Sequence, residues 1–366
     1  MPDTITFGVT DLSGEQSTNP TALDFSETGN PVLFVAQQNG TIYRYEIERQ
    51  PDGADADTSP DFVVTSSTAI DVVPAETQNF NDDGTLNSKT FRQMTGLVAT
   101  TDAEGNDVLY VTSSDWRISV GEDSGLDTNS SQIHRLVLDP DTGAVLSNIA
   151  IVRGLPRSEE NHSINGLDLS VDPDTGDTYL WVAIGGNTNK GAPGNNFAGT
   201  VDFAYSASVI KINLTDLESY DIRTDASGNL FILDMPTLDD PSRPNVDLTS
   251  LNIENLELDP NFTLDNNGSS GGVLRPDWAG GNNGLNMAKI TDYVLVSEDG
   301  QLKLVDNPLT IHSPGFRNPY DVLVTEDGQV YTFDNGPLCF VFVNALTECV
   351  VLSYQHVRRM TRLALM

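Results

Sequence analysis

The segment GLPRSEENHSINGL (154–167) contains His162, one of four histidines in the chain. A turn-forming Gly-Leu-Pro precedes this histidine, and the start of an apolar strand follows it. Imidazole titrates near neutral pH, so a histidine on such a loop is a candidate general base. A lone loop histidine is more often structural or solvated, and the segment by itself leaves both interpretations open.

Three other segments combine turn glycines with side chains that act on ligands. FRQMTGL (91–97) contains Gln93, AIGGNTNKGAPGNN (183–196) is a Gly/Asn-rich loop, and SPGFRNPYDV (313–322) contains Arg317. Gln93 and Arg317 can also be explained without a ligand. In that interpretation Gln93 caps a turn and Arg317 pairs with a carboxylate. The Gly-rich loop lacks the spacing of a phosphate-binding loop, so nucleotide binding is not expected.

The elements that must position these groups are short β-rich runs bounded by Gly, Asp, Asn and Pro. In the segment 30–47, Asn39-Gly40 separates two such runs and predicts a type I′ hairpin turn. Apolar runs such as LFVA, LYVT, LWVA and VYTF alternate with patterned runs such as IYRY, IHRL and VIKI. The unit recurs at roughly 70–75 residues, which favours a β-propeller of four-stranded blades over the main alternative, a β-sandwich.

Composition limits the classes of partner. The 366 residues carry a formal charge of −34, which repels phosphates and argues against nucleic acid. No apolar run approaches the roughly 20 residues that span a bilayer. The first residues show no classical secretory signal, yet cysteine avoidance before Cys339 and the acidic charge favour an extracellular or periplasmic location. An acidic protein from an ordinary bacterium explains the charge equally well, and the oligomeric state is open.

Two regions depart from the repeat. Residues 216–312 are polar and predict long inserted loops, with short strands at 283–290 and 301–307. The last segment, 338–366, contains one acid and three arginines, whereas residues 1–337 contain 52 acids and 16 bases. We therefore expect a propeller domain over 1–337 and an atypical tail. The tail is either a closing strand or the product of a truncated gene with a shifted reading frame, and the break in composition favours the second.

Several of these segments, read in order, resemble the soluble quinoprotein glucose/sorbosone dehydrogenases. The segment with His162, then a strand that ends in a Gly-rich loop, then GFRNP and NGP match the pattern of that family, and FRQMTGL is similar to its Q-x-G-L segment with one extra residue. The resemblance covers roughly residues 20–337 and implies a six-bladed propeller. A six-bladed member needs more chain than these residues provide, so a propeller incomplete at its C-terminal end is expected.

The resemblance implies roles for four side chains. His162 would be the general base that takes the proton of a sugar's anomeric hydroxyl, and Gln93 would contact the sugar. Arg317 and Asn318 would bind the cofactor, with Arg317 stabilising charge on its reacting carbonyl oxygen. These roles agree with the chemistry of imidazole and guanidinium groups.

The resemblance also implies two cofactors, pyrroloquinoline quinone (PQQ) and calcium. The backbone carbonyls of Gly336 and Pro337 would bind the calcium ion, which takes carbonyl oxygens readily. The expected activity is then a PQQ- and calcium-dependent oxidation of aldose sugars, in which hydride moves to the quinone.

One departure from the family pattern bears on activity. The family places an aspartate, which orients the imidazole, where this chain reads Gly185-Gly186-Asn187. Asn187 can hydrogen-bond His162 but cannot stabilise an imidazolium as a carboxylate does. The alternative is therefore an inactive relative or a non-enzymatic propeller module that binds carbohydrate or protein.

Overall fold

The computed structural model of the chain describes residues 18–49, 62–81, 85–117, 125–188, 205–225, 227–235, 264–265, 273–274, 293–335, 340–343 and 349–352. Nearly every regular element in this described part is a β-strand, which confirms the expected all-β class. Gly336 and Pro337 lie outside the described residues, and so does the strand expected at 283–290.

The elements follow one another in chain order. The first eleven strands are β1 Pro20–Phe25, β2 Val32–Gln37, β3 Ile42–Arg49, β4 Phe62–Ile70, β5 Arg92–Thr101, β6 Asp107–Asp115, β7 Ser131–Leu138, β8 Val145–Leu155, β9 Ile164–Val171, β10 Thr178–Ile184 and β11 Ser208–Asn213. The later strands are β12 Arg223–Thr224, β13 Leu230–Asp234, β14 Leu264–Asp265, β15 Val273–Leu274, β16 Tyr293–Glu298, β17 Gln301–Asp306, β18 Leu309–Pro314, β19 Pro319–Val324, β20 Val330–Asp334, β21 Phe340–Val343 and β22 Cys349–Leu352. The two short helices are α1 Val72–Glu76 and α2 Leu214–Leu217.

Antiparallel pairing joins the strands into sheets of four. The first sheet is β1-β2-β3-β4. The second has the four antiparallel strands β5-β6-β7-β8, and β13 and β12 extend it to six strands, with β13 parallel to β8. The third is β9-β10-β11, whose fourth strand, β18, is supplied from later in the chain. The expected four-stranded antiparallel sheets are therefore confirmed.

Strands in the middle of each sheet bury both faces. All nine residues of β6 are buried, with Val108 and Tyr110 on one face and Leu109 and Val111 on the other. This is why LYVT is an unbroken apolar run rather than an alternating one. The two faces belong to two different apolar clusters. One lies between the first and second sheets, and the larger lies between the second and third.

The first strands of the sheets meet one another in chain order. β1 contacts β5, β5 contacts β9, and β9 contacts β19. Two glycines allow the close approach: a Cβ on Gly96 would overlap the carbonyl oxygen of Asn165, and a Cβ on Gly166 would overlap Asp321. Successive four-stranded sheets packed face to face with their first strands adjacent form the arrangement of propeller blades. The number of blades and the completeness of the C-terminal end stay predictions.

Aspartates tie the first strands together. The Asp24 carboxylate on β1 accepts the backbone N–H of Ala99 on β5 at 2.9 Å. The Asp168 carboxylate on β9 accepts the N–H of Val324 on β19 at 2.7 Å. Burial raises the pKa of both carboxyls, while these backbone hydrogen bonds lower it. Each of the two aspartates thus joins its own sheet to the next.

The turn between β2 and β3 differs from the expected type. Gly40 has a φ of +94°, but Asn39 is not among the residues with positive φ. The Gly40 N–H donates to the Gln37 carbonyl at 3.0 Å, and the Gln37 N–H donates to the Thr41 carbonyl at 2.9 Å. A type I′ turn needs positive φ at both central residues, so the prediction of that turn was wrong. One left-handed glycine after a tight turn closes this hairpin instead.

The polar region 216–312 contains regular structure where it is described. β16 and β17 form a hairpin over Tyr293–Asp306, which covers most of the strand expected at 301–307. Val294, Val296 and Leu309 are buried in the larger apolar cluster. The bounds of this region and of the tail 338–366 stay predictions. In the described residues no helix is long and apolar enough to cross a membrane.

Candidate functional site

Three of the predicted site residues lie at the same end of the adjoining first strands. Thr95 Oγ1 near the start of β5 donates to the Ile164 carbonyl at the start of β9. Asn165 Nδ2 on β9 donates to Asn318 Oδ1 at 2.9 Å, immediately before β19. Gln93 and His162 therefore occupy the same edge of the strand array as Asn318. Chain order alone does not reveal this proximity.

His162 is held on a buried loop, with 1% of its surface exposed. Its Nδ1 lies 2.9 Å from the carbonyl oxygen of Gly186 and donates to it, because a carbonyl can only accept. Its backbone N–H donates to Ser158 Oγ at 2.9 Å. In the neutral ring Nε2 is then the nitrogen that carries the lone pair, which is the state a general base requires.

The acceptor for Nδ1 is thus the backbone carbonyl of Gly186, whereas the sequence also allowed a hydrogen bond from Asn187 to His162. The carbonyl of Gly186 fixes the tautomer and the ring orientation, as an acidic side chain would. It supplies a dipole rather than a full negative charge, so it stabilises an imidazolium less than a carboxylate does.

The surroundings of His162 favour its neutral form. The pKa of His162 is lowered from 6.5 to about 4, first by burial and then by the charges of the Arg317 and Arg157 guanidiniums, while the hydrogen bond to Gly186 and the charge of Asp334 act in the opposite direction. The imidazole is consequently unprotonated at neutral pH. It is also a weaker base than a histidine with a pKa near neutrality.

Gly185 brings His162 and Asn318 together. A Cβ at this position would lie 2.5 Å from Asn318 Oδ1 and 2.7 Å from the Cβ of His162. The Gly185 N–H donates to the Ser163 carbonyl, and the Gly186 N–H donates to the Arg317 carbonyl at 2.8 Å. The Gly-Gly pair is therefore the point at which the His162 loop, the end of β10 and the Arg317 segment meet.

Arg157 fastens the loop that carries His162. The guanidinium is fully buried and donates to backbone carbonyls, among them those of Ser158, His162 and Arg117. The bond to the His162 carbonyl is 3.2 Å long. The Arg157 backbone N–H also donates to the Thr128 carbonyl at 2.7 Å. One side chain thus links the His162 loop to the segment that follows β6.

Asp334 organises the Arg317-Asn318 segment. Its carboxylate accepts the backbone N–H groups of Arg317 and Asn318, the latter at 2.8 Å. Arg317 Nη1 donates to the Asn335 carbonyl at 2.7 Å. Asn318 Oδ1 is used by Asn165, while its Nδ2 makes no hydrogen bond within the described residues. The segment therefore presents a guanidinium and an amide donor close to His162.

Gln93 lies on strand β5 rather than in a turn, so the interpretation that it caps a turn was wrong. It pairs with Ser114 across the sheet and is largely buried, yet its Oε1 has no hydrogen-bond partner in the described structure. Gln37 at the end of β2 has an unpaired buried Nε2 as well. Gln38 accepts from Met94 N–H, which places the two glutamines on neighbouring segments. Buried amides without partners are costly, so both are candidate ligand contacts.

Calcium cannot be placed from the described residues. Among them, no group of three or more His, Cys, Asp or Glu side chains is arranged to hold a metal ion. The two residues expected to bind calcium, Gly336 and Pro337, are outside them. Their role stays a prediction.

Sequence reasoning missed Arg157, Asn165, Asp334 and Gln37. Arg157 and Asn165 are inside the segment 154–167 that contains His162. The only sequence feature that pointed to them was their position as polar residues close to the start of an apolar strand. Asp334 precedes the NGP segment directly. Gln37 ends an apolar strand and carries no signal, because only the packing of neighbouring sheets reveals its burial.

A second histidine, His134, is part of a hydrogen-bonded chain on the second sheet. Arg92 donates to Ser113 Oγ, so the Ser113 hydroxyl donates to His134 Nε2 at 3.2 Å. His134 Nδ1 then donates to Asn148 Oδ1 at 3.1 Å, and Asn148 Nδ2 donates to Glu76 at 2.8 Å. Burial, followed by the charge of Arg92, lowers the pKa of His134 from 6.5 to about 3.

This low pKa predicts that acid destabilises the protein through His134. Below pH 6.5 the unfolded chain binds a proton at this residue, while the folded chain does so only near pH 3. The contribution of His134 to the free energy of unfolding should therefore fall by about 1.4 kcal/mol per pH unit in this window. Urea unfolding at a series of pH values measures the slope in the native protein and in His134→Gln.

The variant should show a shallower slope, because its side chain does not titrate. His312→Gln is the matched control, since burial lowers the pKa of His312 too, but to a smaller extent. Equal slopes for the native protein and His134→Gln would contradict the prediction.

Comparisons with known proteins give no family for this chain. No protein-family model and no curated protein matches it. Among solved structures it is similar to the holo form of the PQQ domain of a pyranose dehydrogenase from Coprinopsis cinerea, with 13% identity over 87% of this chain and 90% of that one and a TM-score of 0.31. An α-L-arabinofuranosidase from Fusarium graminearum in complex with an iminosugar inhibitor shares 11% identity over 87% and 72% of the two chains, with a TM-score of 0.29.

The WD40 domain of Pan2 from Neurospora crassa is another of the matching structures, at 10% identity over 87% and 86% of the two chains, with a TM-score of 0.19. TM-scores this low carry no argument about family or activity. The blade arrangement of this chain is evident from its sheets and their packing.

Proposed function

We propose that the protein is a PQQ- and calcium-dependent dehydrogenase of aldose sugars, acting outside the cytoplasm. The observation that carries this proposal is the state of His162. The residue is buried on a fixed loop, its Nδ1 donates to a carbonyl, its Nε2 carries the lone pair, and the Arg317-Asn318 segment lies beside it.

The residues next to His162 suit an anionic quinone. Arg317 contributes a positive charge, and Asn318 contributes an Nδ2 donor that is unused within the described part. Arg157 contributes a second guanidinium near His162, and the Asp334 carboxylate partly offsets the two positive charges. When bound, the quinone supplies the acceptor for a hydride from the sugar.

The residues of the chain have separate tasks in this reaction. His162 Nε2 takes the proton of the anomeric hydroxyl, while Gly186 holds the ring through Nδ1. Gln93 Oε1 accepts a hydrogen bond from a sugar hydroxyl. The Arg317 guanidinium would help to hold the quinone and would supply positive charge to balance its negative charge. No step is assigned to calcium, because its expected ligands are outside the described residues.

Reconstitution tests the proposal. The full chain is incubated with PQQ and calcium, and reduction of an artificial electron acceptor is followed with a panel of aldoses. Dye reduction that requires both the quinone and an aldose supports the proposal. Calorimetric titration of PQQ runs in parallel, and the absence of both turnover and PQQ binding would overturn it.

The second candidate function is a non-enzymatic propeller module that binds carbohydrate or protein. The observation in its favour is the replacement of an orienting carboxylate by the Gly186 carbonyl, which leaves a weak base. Binding of a partner that persists in His162→Ala, together with no turnover in the reconstituted protein, would favour this function.

A further inference from the structure

A cavity of about 380 Å³ opens on the second sheet, away from the His162 loop. The face formed by β7 and β8 is its floor. The segment after α1 and the turn between β12 and β13 are its walls. Asp127 and Ser130 line this cavity, while Thr128 between them binds the Arg157 N–H on the side of His162. The segment 127–130 thus separates the cavity from the proposed catalytic site.

The charges around the cavity exclude a charged ligand. Its carboxylates belong to Glu76, Asp127 and Asp225, and its guanidiniums belong to Arg92 and Arg153. This near balance, in a chain of charge −34, does not attract an anion.

A cationic ligand would have to compete with Arg153. That guanidinium already pairs with Asp225 at 3.1 Å and with Asp234 at 2.9 Å. It also lies 3.5 Å from the centre of the Phe231 ring, where it is held by a cation–π contact. A neutral ligand fits this balance best.

Unused polar groups line the cavity. Arg153 Nε is buried without a hydrogen-bond partner. Gln132 makes no side-chain hydrogen bond within the described residues, and Glu76 uses one carboxylate oxygen, Oε2, for Asn148. A ligand with several hydroxyl groups can accept a hydrogen bond from Arg153 Nε and donate one to the Glu76 carboxylate. It can both donate to and accept from the Gln132 amide.

Apolar surface completes the lining. Phe80 and Phe231 are in the wall, and Leu86 and Leu230 are at the mouth. Leu86 is 57% exposed and Leu230 is 38% exposed, so their apolar surface is open to a ligand. The ligand must therefore present a C–H face as well as hydroxyl groups.

We propose that this cavity is a saccharide-binding site, separate from the His162 site, for a neutral sugar of one or two rings. A volume of about 380 Å³ is at the lower end of the range for small-molecule pockets. Neutral sugars combine a hydroxyl-rich edge with an apolar ring face, which is the combination the lining presents. The proposal does not depend on the activity assigned to His162.

Saturation-transfer NMR tests the site in the cofactor-free full chain, with glucose, xylose, maltose and cellobiose as the probes. We expect binding that is about tenfold weaker in Gln132→Leu, the loss that one or two hydrogen bonds account for. Gln329→Leu is the matched control, because Gln329 has a buried Oε1 with no hydrogen-bond partner in the described structure and is in the turn between β19 and β20.

A second variant, Leu230→Trp, narrows the mouth without changing the polar groups and should weaken binding at least as much as Gln132→Leu. Far-ultraviolet circular dichroism confirms that each variant is folded. Binding that is lost in His162→Gln but kept in Gln132→Leu and Leu230→Trp would move the sugar to the His162 loop and overturn the proposal. The absence of binding by all four sugars would overturn it as well.

Discussion

Replacing His162 by Gln should lower kcat/KM for aldose oxidation by about 10²- to 10⁴-fold, the usual contribution of a positioned general base. Glutamine can still donate to the Gly186 carbonyl, so the loop should keep its conformation while the lone pair of Nε2 is lost. Steady-state dye reduction with the PQQ- and calcium-loaded protein measures the effect. The affinity for PQQ, measured by calorimetry, should change little.

His134→Gln is the control for this prediction, since it removes a buried histidine that is remote from the loop. Its kcat/KM should stay close to the native value. In the native protein the acid limb of the pH–rate profile should be near pH 4 rather than 6.5, because the surroundings of His162 lower its pKa to about 4. A His162→Gln enzyme of native activity would remove His162 from the mechanism.

The second large effect is expected at Arg157. Arg157→Met deprives several buried carbonyls of their donor, and each loss costs about 1–3 kcal/mol. Part of this is offset because a buried guanidinium no longer needs to be desolvated, so a net loss of about 3 kcal/mol in the free energy of unfolding is expected. The pKa of His162 should rise at the same time, because the Arg157 charge lowers it in the native protein. Urea unfolding and NMR titration of the imidazole measure the two quantities.

Two variants separate the charge of Arg157 from its hydrogen bonds. Arg157→Lys keeps the charge but not the planar set of donors, so it should restore the pKa of His162 while leaving most of the stability loss. Arg317→Met removes a different charge that lowers the same pKa. It should raise the pKa without a comparable loss of stability. If Arg157→Met left both quantities unchanged, Arg157 would have no role in holding the loop.

The strands were predictable because their signals are local. LFVA, LYVT and LWVA are apolar on both faces, and such runs become central strands wherever sheets are stacked on each other. The turn at Asn39-Gly40 shows the limit of such signals. The dipeptide marked the position of the hairpin, but its backbone conformation depends on how many residues the two strands leave unpaired.

The site was predictable only in part, for a physical reason. His162, Arg317 and Asn318 were found through a resemblance of segments. Their proximity, however, depends on contacts at Gly185, Gly186 and Asn165, which join residues more than 20 and up to 154 positions apart in the sequence. The acceptor of Nδ1 is a main-chain carbonyl, and every residue has one. No residue type marks it, so a sequence cannot show which carbonyl will orient a histidine.

The two-sided burial of the central strands has a further consequence for how the protein unfolds. Each apolar layer is built half by one sheet and half by the next, so neither sheet can lose its order without exposing its neighbour. Stability then behaves as a chain of nearest-neighbour couplings, as it does in repeat proteins. Because the His162 and Arg317 segments belong to adjacent sheets, disorder that starts in one sheet should reach both segments in the same cooperative step.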